Sequence, residues 1–210
     1  MARAGYRFQP LRTADLAMVR QWLAMPHVVE WWGDPDQQFE LVSCDLAEPA
    51  MEQFIVAAED GPFGYLQCYD LRAWPSVAFG PQPDGTRAID QFIGKSEMVG
   101  CGHGSGFIRQ FVDELLANAC PGEVASGSKA NRCSPTRTCV NSGIYGVSRS
   151  YGITERSHMK GKRCSGAPRV ITDPAPNNSR AIRAYEKAGF VRDRLVETSD
   201  GPAILMVRSR

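Results

Sequence analysis

DPAPNNSRAIRAYEKAGF, Asp173–Phe190, is the stretch whose reading decides the fold. Asn178 is a residue type that caps helices, because its side-chain oxygen accepts from N–H groups the first turn leaves without partners. Ala181, Ile182 and Tyr185 then lie one turn apart and share an inward face. Gly189 takes the C′ position at which a helix ends. The pattern therefore predicts a helix over Asn178–Ala188. RVITD just before it reads as a short strand. FVRDRLVET and AILMVRS after it read as two strands around the turn Ser199-Asp200-Gly201-Pro202.

Upstream, the clearest helix is FIRQFVDELLANA. Its Phe107, Ile108, Phe111, Val112, Leu115 and Leu116 recur at helical spacing, with Arg109, Gln110, Asp113 and Glu114 opposite. Before it, RAIDQFIG (Arg87–Gly94) alternates as a strand should. Two further strands are expected around Phe54–Ala58 and Gly64–Tyr69, joined by Glu59-Asp60-Gly61-Pro62. At the N-terminal end YRFQPLR reads as a strand. Leu16, Val19, Trp22 and Leu23 form a helical stripe, with Thr13 as N-cap and Pro26 as the stop. HVVEWWGDPD reads as a turn-rich loop, and Gln37–Ala47 as a second, shorter helix. This order of elements predicts an α/β (α+β) fold around one mixed sheet.

The 210 residues suit one domain, 1–210. No apolar run reaches the ~20 residues of a membrane helix, and the N-terminus lacks a signal peptide's apolar core. The expected address is cytoplasmic. The stretch 120–165 has no sustained period and is rich in Ser, Gly, Arg and Cys, so it reads as a basic insertion within the domain. It holds eight Lys or Arg against Glu123 and Glu155, a net of +6, which leaves 16 basic and 21 acidic residues elsewhere, a net of −5. An acidic body attracts a cationic small molecule. Four of the seven cysteines fall in the insertion, but with His158 they form no C-x₂₋₄-C pair, so zinc is not expected. Basic charge beside Tyr145 and Tyr151 is better explained by a solvated loop than by nucleic acid.

VGCGHGSG (Val99–Gly106) places Gly100, Gly102, Gly104 and Gly106 between a strand and an amphipathic helix. Glycines let the backbone curl close to a ligand, and free N–H groups at a helix start favour phosphate, although a flexible turn has the same composition. A dinucleotide fingerprint is excluded because Ser105 stands where its third glycine belongs; a P-loop is excluded because Ile89 stands at its first.

Asn178, Tyr185 and Glu186–Phe190 closely resemble the closing motif of the GNAT acetyltransferases. Val99-x-x-Gly102-x-Gly104 resembles that family's pyrophosphate loop, with Val99 in place of Arg or Gln. HVVEWWG, RAIDQFIG, TDPAPNNSRAIRAYEKAGF and DGPAILMV together resemble the aminoglycoside 6′-N-acetyltransferase branch over about residues 8–118 and 167–208.

That resemblance implies a single GNAT domain whose central mixed sheet splays open for acetyl-CoA, with no metal. Transfer of acetyl to an amine needs a group to take a proton from an ammonium that titrates near ~10, and Asp90 is the candidate. It also leaves a thiolate, which a phenol can protonate; Tyr185 is the candidate. Cofactor contacts are expected from Phe92, Ile93, Val99, Gly100, Gly102, Gly104 and Ser105, and from Asn178 and Tyr185. Substrate contacts are expected from Trp31, Trp32, Asp90 and Asp173. The implied partner is a small polycationic amine, with no membrane and no nucleic acid, for a monomer or homodimer. Two other readings stand beside this one: a siderophore-type hydroxylamine or other amine N-acyltransferase, and a CoA-binding protein that has lost turnover.

Overall fold

A computed structural model describes residues 5–74, 76–117 and 166–210. The chain runs β1 (Arg7–Pro10), α1 (Leu16–Leu23), α2 (Pro26–Trp32), α3 (Pro35–Asp45), β2 (Met51–Ala58), β3 (Gly61–Asp70) and β4 (Arg87–Ile93). It continues with α4 (His103–Leu116), β5 (Arg169–Thr172), α5 (Ser179–Lys187), β6 (Val191–Thr198) and β7 (Gly201–Ser209). The insertion expected at 120–165 lies outside the described residues.

The seven strands form one mixed sheet in the order β1-β2-β3-β4-β5-β7-β6. Every neighbouring pair is antiparallel except β4 and β5, which are parallel and in register only at Arg87↔Val170 and Ala88↔Ile171. From Ile89 onward β4 stays paired to β3 alone, so the sheet splits towards the C-terminal ends of its two parallel strands. Open sheets with parallel strands place ligands outside those carboxyl ends.

Helices cover both faces. The apolar stripe of α4 (Phe107, Ile108, Phe111, Val112) and Ile182 of α5 bury against Val56, Leu66 and Ile89. On the other face Val19, Leu23, Val28 and Val42 of α1–α3 pack on Ile55, Tyr65 and Phe92. These two layers hold the halves of the split sheet in place from opposite sides.

Three local expectations are corrected. HVVEWWGDPD is not a loop: its first six positions, with Pro26 ahead of them, form α2. Proline is favoured at the first helical position, where its missing N–H would have no partner anyway, so the residue that stops α1 also starts the next helix. Thr13 is not a cap. It opens a 3-10 turn over Thr13–Asp15, and the Asp15 carboxylate accepts instead from the Arg12 N–H at 3.0 Å. The strands also begin earlier than expected, at Met51 and Gly61, so the turn between them is only Glu59-Asp60.

Candidate active site

A cleft of about 360 Å3 opens where β4 leaves β5. One end is built by the loop after β4. Gly100 and Gly102 have φ of +80° and +87°, a backbone that residues with a Cβ rarely adopt. Gly102 is the N-cap of α4, so the turn aims the first N–H groups of a 14-residue helix into the cleft. Val99, Gly104 and Ser105 complete this wall, the Ser105 hydroxyl donating to the Gly102 carbonyl at 3.1 Å.

The facing wall is α5. Asn178 caps it, its side chain accepting from the Ala181 N–H at 3.0 Å. Arg180, Arg183 and Lys187 follow at helical spacing along the cleft. Arg109 of α4 donates to the Lys187 carbonyl and ties the two helices together. Glycine backbone, a helix start and three cations suit a polyanion, and the apolar wall of Phe92, Ile93 and Trp31 suits an uncharged arm. Coenzyme A has both parts, and the residues present fit it.

At the other end α2 brings Trp31 and Trp32 to the cleft. Trp32 stands edge-on to Phe92 and Tyr65, with centroids at 4.9 and 6.0 Å. The Trp31 indole nitrogen is buried with no hydrogen-bond partner among the described residues. His27, at the start of α2, meets the Ile93 carbonyl at 2.8 Å and fixes α2 to the end of β4.

Asp90, Asp173 and Tyr185 stand behind the cleft wall rather than on it. Side chains alternate along a strand, so Asp90 shares the Phe92 face while Gln91 and Ile93 share the other. Asp90 accepts from the Gln67 amide at 2.9 Å. Asp173 follows β5 directly across the split. Burial, then the charges of Asp90 and Asp200, hold its carboxyl well above the usual carboxylate range. Three acids therefore converge from β4, β5 and the β6–β7 turn. Tyr185, on the opposite face, is buried; burial raises its phenol pKa, and Thr172 and Gln91 hydrogen-bond to it. Gln91 is thus the link between Tyr185 and the cleft.

Sequence reasoning missed His27, Gln91, Arg180, Arg183 and Lys187. The three cations were legible, because their spacing within the helix already places them on one side. His27 and Gln91 carried no local signal. His103, which opens α4, meets the Tyr6 hydroxyl at 3.2 Å and ties the glycine loop to the chain segment ahead of β1. Among the described residues no group of His, Cys, Asp and Glu could hold a metal.

The family described as acetyltransferase (GNAT) domain matches residues 12–131. Aminoglycoside N(6′)-acetyltransferase type 1 of Klebsiella pneumoniae is 31% identical over 93% of this chain and 79% of its own length. Solved structures of the aminoglycoside acetyltransferase AAC(6′)-Ib superpose with a TM-score of 0.69 at 27% identity, covering 98% of this chain. One of them holds paromomycin with acetyl-CoA and is matched over 94% of its chain; the other holds coenzyme A with kanamycin and is matched over 95%. With its split mixed sheet and its glycine loop at the cleft, the chain belongs to the GNAT acetyltransferase family.

Proposed function

We propose that the protein transfers acetyl from acetyl-CoA to a primary amine of an aminoglycoside, at the 6′-amino group, in the cytoplasm and as a monomer or homodimer. One arrangement carries this reading: a cleft with an anion-binding end of glycine backbone and cations is walled by the same strand, β4, that carries Asp90, whose charge reaches Asp173 beyond β5. The first end suits the phosphates of coenzyme A. The second suits a molecule with several ammonium groups, since buried like charges are relieved by a cation. The names of the relatives agree with that acceptor.

Acetyl-CoA supplies an activated thioester carbonyl. The chain's own residues supply orientation and proton transfer. Gly100, Gly102, Gly104, Ser105, Arg180, Arg183 and Lys187 hold the phosphates, while Asn178, Val99, Phe92 and Ile93 line the path of the arm. Asp90 and Asp173 hold the acceptor as its ammonium, with Trp31 and Trp32 covering the apolar side of a sugar ring. Asp90 then takes the proton, directly or through water, which frees the nitrogen lone pair for attack. A C–N bond forms, the C–S bond breaks, and the nitrogen sheds its second proton to water, from which Tyr185 regains the proton it gives. Tyr185, kept protonated by its burial, donates to the departing thiolate.

The test is release of free thiol from acetyl-CoA across aminoglycosides, hydroxylamines, polyamines and neutral arylamines. Turnover is expected with multiply charged amines and should fall as salt is added. Equal, salt-independent activity on neutral arylamines would overturn the acceptor. A preference for hydroxylamines would move it to the siderophore-type reading, and binding of acetyl-CoA without any turnover would leave a CoA-binding protein.

A further inference from the structure

A row of buried polar residues crosses the centre of the sheet and ends at Asp90. Gln53 on β2 is the register partner of Gln67 on β3, and Gln67 is the register partner of Asp90 on β4. Tyr65 stands two residues from Gln67 and therefore on the same face. Gln53 and Gln67 are 6% and 5% exposed and Tyr65 is fully enclosed, in a layer otherwise made of residues such as Ile55, Val19 and Phe92. A buried amide destabilises a core unless it is hydrogen-bonded, so apolar side chains would serve packing better here.

The contacts have a direction. An ionised carboxylate only accepts, so Gln67 must turn its NH₂ towards Asp90, at 2.9 Å. That leaves the Gln67 oxygen to Tyr65, whose hydroxyl donates to it at 2.9 Å. The phenol has then used its one proton, and the Gln53 amide lies beside its oxygen. An N–H of Gln53 goes to the Val42 carbonyl at 3.1 Å. The donors of Tyr65 and Gln67 both run towards Asp90, and donors aligned in series polarise one another.

The surroundings explain why such support is needed. Asp173 after β5, Tyr185 on α5, and Tyr65 and Cys68 on β3 all feel the Asp90 charge. Asp45 on α3 adds a negative charge near Tyr65, and Asp200 one near Asp173. Arg87, on the same strand as Asp90, is paired with Glu52 at 2.8 Å.

We infer that Gln53, Tyr65 and Gln67 form a directed hydrogen-bond relay that orients the Asp90 carboxylate and sustains its charged form, with Tyr65 and Gln67 as positioning residues for the proton acceptor. This rests on Asp90 being that acceptor, as proposed above. Without the Tyr65 hydroxyl, nothing in the relay prevents the Gln67 amide from turning its oxygen towards Asp90. The carboxylate would then lose a donor and face another negative dipole.

The experiment is kcat/KM for the acceptor against pH, at saturating acetyl-CoA, for the full chain and for Tyr65→Phe, Gln67→Met and Asp90→Asn. In Tyr65→Phe and Gln67→Met the acid limb should move up by roughly half to one pH unit, about a three- to tenfold loss of rate on its acid side. The alkaline plateau and the KM for acetyl-CoA should stay within about twofold, since the relay touches neither. In the Asp90→Asn background Tyr65→Phe should change nothing further. A limb that stays in place in both single variants, while Asp90→Asn loses activity, reduces the row to packing and overturns the relay. Wild-type rates in Asp90→Asn would instead remove the acceptor reading itself. Should Tyr65→Phe not fold, Gln67→Met keeps the tyrosine and carries the test.

Discussion

Asp173 illustrates how much of this site is electrostatics between acids. Its carboxyl is raised by burial first and by Asp90 and Asp200 next. A raised folded-state value means that its contribution to stability is fully present below the ordinary Asp range and is lost as pH rises through the raised value. Asp173→Asn should therefore stabilise the free protein at neutral pH, raising Tm by roughly 2–4 °C if the relief is about 1 kcal/mol, and should remove that part of the pH dependence. A bound polycation favours the charged form. Calorimetry in buffers of different ionisation enthalpy should thus show proton release on aminoglycoside binding, lost in Asp173→Asn. An unchanged melting temperature together with unchanged proton release would remove Asp173 from the acceptor site. Asp90→Asn keeps the shape but cannot take a proton, and should lower kcat by ~10²–10⁴ while acetyl-CoA affinity is retained. Tyr185→Phe should lower kcat less, because water can also protonate a thiolate.

At the level of elements, the α4 N-terminus and the α5 flank divide the work of holding coenzyme A. A Cβ at Gly104 would meet only Ile93 Cδ1 at 3.8 Å and Ala184 Cβ at 3.9 Å, so Gly104→Val disturbs little in the free protein. Gly102→Val, by contrast, strains a backbone at φ +87°. Gly104→Val is therefore the cleaner probe. Acetyl-CoA affinity should fall at least about tenfold with Tm almost unchanged, because a side chain would occupy the space a phosphate needs. Arg183→Gln with Lys187→Gln should also weaken acetyl-CoA binding and flatten its salt dependence, since both are exposed cations on the cleft. Calorimetric affinity that is the same in both variants would place the phosphates elsewhere. Much of these elements was legible: the caps, the stripes of α4 and α5, and the glycine loop are all local. What was missed, the helix α2, followed from treating Pro26 only as a terminator.

For the whole molecule the open question is how the stretch 120–165 joins the domain. Its flanks meet: the Ala167 N–H donates to the Leu115 carbonyl at 2.9 Å, and Arg210 donates to the Leu116 carbonyl at 2.7 Å. That junction lies at the C-terminal end of α4, about 20 Å along the helix from the glycine loop at ~1.5 Å per residue. Closing a longer loop costs only slowly more entropy, about 0.6 kcal/mol per doubling. Joining Ala119 to Gly166 should therefore leave a folded protein with acetyl-CoA binding and acceptor choice preserved, at equal or higher Tm. Loss of folding or of activity in the deletion variant would make the stretch an integral part of the enzyme.

The sequence by itself determined the order of elements apart from α2, the two helices that flank the cleft and the glycine loop. Periodicity, capping and left-handed backbone are properties of neighbours along the chain, so they can be read without knowing what packs against what. The tertiary structure alone decided the rest. β4 and β5 are 75 residues apart from Ile93 to Arg169, and nothing local says that they pair at only two positions and then separate. That short parallel register opens the cleft. Asp90 on β4, Asp173 after β5 and Asp200 in the β6–β7 turn come close enough for their charges to interact, and the antiparallel registers of β2, β3 and β4 place Asp90 at the end of a polar row that begins on β2. Register between distant strands is set by the burial of whole faces, which no single segment contains.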